Sequence, residues 1–313
     1  MDDPITRTAT SDTASAVQSP LRTLRYLFKA MRPRQWTKNL FIYAALLFDD
    51  KLLQPPLFLK TTAGFLIFCL LSSAVYLMND LSDIEADRAH PTKRFRPLAS
   101  GRLSPRVAIV ATVIFIAVSV PASFLLDWRF GIIAVAYLAL QIGYTYALKN
   151  VVLVDVFCIA AGFVLRVAAG VVLVQARNFS PWLYLTVTLL ALFIAIGKRR
   201  HELTLLQGKA DTHRRILSEY NLRLLDDMMG LVTAATAVTY AFYTFSAPNL
   251  PANHLMMLTI PFVLYGIFRY QYLIHVRGEG GSPDELLLRD KPLLIDIALW
   301  GLTVFLVMYI VPA

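Results

Sequence analysis

Charge is scarce in this chain. Asp, Glu, Lys and Arg make up 16% of its 313 residues, against 57% hydrophobic. A soluble domain is nearer a quarter charged, so the composition argues against one large soluble domain. Cysteine is scarcer still. Cys69 and Cys158 both lie inside apolar runs, which argues against a disulfide framework or a Cys-x-x-Cys metal site and leaves them as small core residues. The five histidines form no His-Glu-x-x-His pattern. Acids are outnumbered, with 21 Asp and Glu to 30 Lys and Arg, for a net charge of +9. That excess could serve nucleic acid, but in an apolar chain it reflects Lys and Arg held in cytoplasmic loops, and no nucleic-acid partner is expected. Residues 1–20 hold Ser, Thr and Asp without an apolar core, which predicts a disordered tail rather than a signal peptide. Residues 21–313 then form a single transmembrane catalytic domain.

What the chain does have is long apolar runs. Crossing about 30 Å of hydrocarbon takes roughly 20 mostly apolar residues. Nine such runs lie near 37–55, 61–80, 105–126, 130–148, 152–175, 180–197, 227–247, 254–274 and 292–311, predicting an all-α polytopic membrane protein of nine helices. The first is the weakest, because Asp49, Asp50 and Lys51 interrupt its far end. Lys and Arg crowd alternate connections: Arg32, Arg34 and Lys38 before the first run, Arg88 to Arg106 after the second, Lys149 after the fourth, Lys198 to Arg223 after the sixth. The other connections are nearly bare of them. The positive-inside rule therefore puts the N-terminus in the cytoplasm and, after nine crossings, the C-terminus outside.

The second run ends Tyr76-Leu77-Met78-Asn79-Asp80-Leu81-Ser82-Asp83-Ile84-Glu85-Ala86-Asp87. Tyr76, Asn79 or Asp80, Asp83 and Asp87 recur at three- and four-residue steps, so they are expected to line one helical face. Stacked carboxylates repel unless a cation sits among them. Asp and Asn oxygens without His or Cys suit a hard ion such as Mg²⁺, which shares its coordination with water and substrate phosphates. A solvated helix end would also carry acids, but these continue directly from a span and face the basic loop Arg88 to Arg102. Acid and base side by side suggest a metal-bound polyphosphate with Lys and Arg on its other oxygens.

Asn79-Asp80-x-x-Asp83-x-x-x-Asp87, followed by His90-Pro91-Thr92-Lys93-Arg94-x-Arg96-Pro97-Leu98-Ala99-Ser100-Gly101, resembles the first aspartate-rich motif of the UbiA superfamily of membrane prenyltransferases. The resemblance implies a helical bundle around a central cavity that opens laterally to lipid, with a diphosphate bound through Mg²⁺ at the cytoplasmic mouth. One departure stands out. Where members of that superfamily carry a second Asp-x-x-x-Asp motif, this chain reads Gly197-Lys198-Arg199-Arg200-His201-Glu202-Leu203, and Asp211 has no partner four residues on. More cations and fewer acids favour a substrate with more phosphate than one diphosphate, such as 5-phosphoribosyl 1-diphosphate (PRPP). That segment, with Arg34-Gln35-Trp36-Thr37-Lys38-Asn39, resembles the branch whose members move phosphoribose onto decaprenyl phosphate for cell-wall arabinan precursors, and implies a bacterial inner-membrane protein.

On that resemblance, Asn79, Asp83 and Asp87 hold Mg²⁺ on the leaving diphosphate, with Asp80 as a helper. Lys38, Lys93, Arg94 and Lys149 take diphosphate oxygens, and Tyr76 a phosphate or ribose oxygen. Lys198, Arg199 and Arg200 take the 5-phosphate or the lipid phosphate. Asp155 or Glu202 bonds ribose hydroxyls or orients the cations, and Arg96, Tyr146 and Arg166 complete the substrate-binding set. Arg166 lies within a span, where it needs a partner; Asp155 and a ligand phosphate are equal candidates. Two other readings compete: transfer of a prenyl group to an aromatic acceptor, and transport of a phosphorylated lipid or small anion. Small residues at Ala160-Ala161-Gly162 and Ala168-Ala169-Gly170 suggest helix association in a homo-oligomer. The sequon Asn178-Phe179-Ser180 carries no weight in a bacterial protein.

Overall fold

A computed structural model describes residues 19–176, 180–205, 215–279, 286 and 289–311. The tail up to residue 18, Asp211 and most of the Asn178 sequon lie outside them. The described residues are helical, with no strand among them. In chain order the helices are α1 (Pro20–Ala30), α2 (Ala44–Phe48), α3 (Pro55–Ser82), α4 (Ile84–Ala89), α5 (Pro105–Leu126), α6 (Trp128–Tyr146), α7 (Val154–Val174), α8 (Pro181–Leu205), α9 (Leu222–Ser246), α10 (Ile260–His275) and α11 (Lys291–Phe305). A 3₁₀ segment, Pro33–Tyr43, leads into α2.

Proline opens many of these helices, where its missing N–H would have no intrahelical partner anyway. Side-chain caps open others. Asp127 accepts from the Arg129 N–H at 2.9 Å, Asn221 from that of Leu224 at 2.8 Å and Asp290 from that of Leu293 at 3.0 Å.

Among the described residues seven helices are long and apolar enough to cross a membrane, against the nine expected: α3, α5, α7, α8, α9, Leu255–His275 ending in α10, and Lys291–Ile310 beginning with α11. The expected fourth span is α6, a continuous helix of 19 residues whose first turn holds Trp128 and Arg129. The expected first span is not one α-helix. Arg32 turns with φ 55°, and the chain then winds as a 3₁₀ segment before five α-helical residues. A run of polar residues explains this: Gln35, Thr37, Lys38 and Asn39 each bond a side chain or carbonyl instead of facing lipid.

Three contacts seat this irregular segment in the bundle. Gly170 of α7 lies so close to it that a Cβ there would stand 2.0 Å from the Ile42 carbonyl oxygen. At the end of α2, Tyr309 Oη donates to the Leu47 carbonyl at 2.8 Å, and the Asn249 amide donates to that of Phe48. Non-helical backbone is tolerated at membrane depth only where protein satisfies it in this way. Of the six small residues expected to favour self-association, Ala160, Gly162, Ala169 and Gly170 are buried within the chain, while Ala161 and Ala168 are half-buried.

The largest core joins α7 through α11, and a second joins α3, α6 and α7, so α7 is the wall they share. A third core pins α1 against the ends of α3 and α5. Outward, α5 shows Ile109, Val110, Val113, Ile114 and Val118, a stripe suited to lipid.

Candidate active site

The last turn of α3 and the short α4 carry the acidic motif. Asp83 ends α3 with φ −107° and ψ 14°, yet the hydrogen bonds run through it: its N–H donates to the Asn79 carbonyl and its own carbonyl accepts from the Asp87 N–H. The motif therefore presents two stripes, where the spacing predicts one. Asn79 and Asp83, four residues apart, look toward α6. Thr145 Oγ1 donates to Asn79 Oδ1 at 2.5 Å, and Lys149 Nζ stands 2.9 Å from Asp83 Oδ1. Asp80 and Asp87, seven residues apart, look the other way and are both buried. One atom joins them: Arg96 Nη1 lies 3.1 Å from Asp80 and 2.6 Å from Asp87. Arg32 Nη2 adds a contact to Asp80 at 2.5 Å, and its guanidinium lies 4.9 Å from the centre of the Tyr76 ring.

Asp83 is half-buried, with 35% of its side chain exposed, and more open than the buried Asp80 and Asp87. Among the described residues, no three His, Cys, Asp or Glu side chains converge as a ready-made metal cage. On the Asp80 side a pocket of about 300 Å³ opens between the end of α1 and the loop at 92–97. Lys29, Arg32, Thr92, Phe95 and Arg96 help line it.

A second cluster forms where α7, α8 and the 3₁₀ turn Arg215–Glu219 meet. Arg199 is 1% exposed and donates to Asp155 Oδ2, to Glu202 Oε2 and, at 3.1 Å, to Tyr144 Oη. Tyr220 Oη donates to Asp155 Oδ1 at 2.8 Å and accepts from the Leu153 N–H at 2.8 Å. Burial, reinforced by the bond to Asp155, pushes the Tyr220 phenol up to about 12, so it stays protonated and donating at neutral pH.

Successive residues of a helix point about 100° apart, so the basic run does not act as one patch. Arg200 turns to Asp226 of α9 (Nε to Oδ1, 2.5 Å), which also meets His275 at 3.2 Å. The end of α6 spans both clusters: Tyr144 reaches Arg199, while its neighbour Thr145 and Lys149 reach Asn79 and Asp83. Acidic motif and basic run thus flank one helix end.

The profile of the UbiA prenyltransferase family matches residues 39–283. The chain belongs to that family. Among its relatives is the decaprenyl-phosphate phosphoribosyltransferase of Corynebacterium glutamicum, 34% identical over 302 residues that cover 94% of this chain and 90% of that protein. The proteins of the same name from Mycolicibacterium smegmatis and Mycobacterium tuberculosis are 35% and 32% identical, over 88% and 92% of this chain and 89% and 95% of theirs. Among solved structures, a UbiA homologue from Archaeoglobus fulgidus bound to GPP and Mg²⁺ superposes with a TM-score of 0.69 at 21% identity, covering 91% of this chain and all of that one. Apolar helices and family together make this a multi-pass membrane protein.

Within this UbiA bundle eleven of the expected site residues fall into three groups. Asn79, Asp80, Asp83, Asp87, Arg96 and Lys149 form the first cluster; Asp155, Arg199 and Glu202 form the second. Lys38 and Tyr76 meet at Gln35 Oε1, at 2.5 and 3.5 Å. Arg166 corrects an expectation. It does not pair with Asp155, which lies three turns away at the start of α7. Its Nε donates to Asn39 Oδ1 at 2.7 Å, Nη1 to the Gly162 carbonyl at 2.8 Å and Nη2 to Tyr137 Oη at 2.9 Å. Tyr146 is mostly exposed, and Arg94 stacks on Phe95 at 4.9 Å. Arg32, Thr145, Tyr144, Tyr220 and Asp226 were not singled out from sequence. Tyr144 and Thr145 directly precede Tyr146, a residue the sequence did single out, and Arg32 stands in the basic run that fixed orientation; nothing in the sequence marked Tyr220 or Asp226.

Proposed function

We propose that the protein transfers 5-phosphoribose from PRPP to a polyprenyl phosphate, decaprenyl phosphate by analogy with its relatives, and releases diphosphate. The observation that carries this reading is its relation, over nearly its whole length, to three proteins named decaprenyl-phosphate phosphoribosyltransferase. The basic run at Lys198 and Arg200, beside the second cluster, supports it, because a donor with a further phosphate at C5 calls for cations there.

The first cluster suits the leaving diphosphate. A Mg²⁺ bound there would neutralise the charge that grows as the anomeric C–O bond breaks. Asn79 and Asp83 fit as its donors, with Asp87 behind them and Asp80 organising Arg32 and Arg96. Mg²⁺ takes one or two carboxylates together with substrate phosphates and water, so a full protein cage is not required. Lys149, Arg96, Lys38, Lys93 and Arg94 supply cations for the remaining diphosphate oxygens. Lys198 and Arg200 serve the 5-phosphate or the lipid phosphate. Arg199, already matched by two carboxylates, holds Asp155 and Tyr144 in place. An oxygen of the acceptor phosphate, ionised near neutral pH, attacks C1 as diphosphate departs, so no strong general base is needed. Direct attack inverts the anomeric centre.

In this account the charged end of the bundle faces the cytoplasm of a bacterial inner membrane, and the product feeds arabinan precursors. PRPP binding by the detergent-purified protein tests the site. Affinity should rise at least tenfold with millimolar Mg²⁺, and Asp83→Asn should remove that rise. Binding that ignores Mg²⁺, or an Asp83→Asn protein that keeps the dependence, contradicts the assignment.

A further inference from the structure

Helix α1 has three unlike faces. Tyr26, Leu27 and Ala30 pack on the ends of α3 and α5 with Leu77, Leu98, Leu103, Ala108 and Ala111. Leu21, Leu24 and Phe28, at steps of three and four, point away from the protein at 81%, 62% and 53% exposure. Arg22, Arg25 and Lys29, all exposed, form a ridge between these two faces. A helix meant for water would not hold out two leucines and a phenylalanine beside a packed face. An apolar stripe flanked by Lys and Arg suits a helix lying in the plane of a membrane surface. Two further observations point to the bilayer. The helix shares an apolar core with α5, which turns large apolar side chains outward from Ile109 on. Trp36, of a residue type that favours the membrane–water boundary, stands 6.1 Å edge-on from Phe28.

We infer that α1 is a docking surface for the headgroup layer of an anionic bilayer, with Leu21, Leu24 and Phe28 seated among acyl chains and Arg22, Arg25 and Lys29 on lipid phosphates. The chain passes from α1 directly into Arg32, which binds Asp80, so the seating ties the headgroup layer to the acidic motif. The inference is independent of the transferase reading.

Full-length protein carrying Leu24→Cys, labelled with an environment-sensitive fluorophore, tests it in nanodiscs; the two native cysteines are buried. In discs containing phosphatidylglycerol, the label should be quenched several-fold more by an acyl-chain spin label than by aqueous iodide. Discs of phosphatidylcholine alone, or the added pair Arg22→Glu and Arg25→Glu, should reduce that ratio at least twofold. A label equally open to iodide in both lipids shows that α1 stands in water and overturns the inference. Deep quenching that ignores lipid charge and the Arg→Glu pair overturns the headgroup contact.

Discussion

Arg199 and Asp155 face each other inside the bundle, 1% and fully buried, with Tyr220 and Glu202 completing their hydrogen bonds. Removing one member of such a pair leaves a buried charge uncompensated, at a cost of about 3–5 kcal/mol. Arg199→Met should therefore lower the thermal midpoint of the purified protein, and adding Asp155→Asn should restore much of the loss, as a double-mutant cycle would show. Tyr220 gives a pH signature. Its folded pKa of about 12 stands above the ordinary tyrosine value near 10. Stability from its proton is thus whole below about pH 10 and lost as the pH climbs toward 12. Tyr220→Phe should flatten alkaline unfolding in that window, followed by circular dichroism. In the first cluster, Lys149→Met should reduce transfer by about 10²-fold through loss of charge stabilisation, measured as turnover.

Among the elements, those with long apolar runs were legible in the sequence, because a span's length and composition are local properties. The first segment was not. Its winding follows from Arg166 reaching Asn39 and from the gap at Gly170, which are contacts 127 and more residues away along the chain. Gly170→Leu should drive the Ile42 backbone off α7, visible as loss of monodisperse protein; Ala161→Leu, at a half-buried position beside the same stripe, should be milder. The motif was legible as residue types but not as partners. Spacing placed Asp87 with Asn79 and Asp83, whereas two stripes separate them, and Arg96 holds Asp87 against Asp80. The second cluster was read as a patch of three cations; the helix fans them out, and the acids that match Arg199 and Arg200 come from α7, α8 and α9.

At the scale of the whole molecule, the UbiA bundle brings two differently charged clusters to opposite sides of the end of α6. One carries the acids suited to metal and diphosphate, and the other lies on the basic run 198–200 that distinguishes this chain from members with two acidic motifs. The prenyl group then belongs to the acceptor, not the donor. The most direct measurement offers purified protein, with Mg²⁺, PRPP labelled in the ribose together with decaprenyl phosphate and, in parallel, a labelled prenyl diphosphate with an aromatic acid. The account predicts ribose label in the lipid fraction and unlabelled diphosphate released, with no prenylated aromatic product. Label on the aromatic acid, with PRPP left intact, would contradict it.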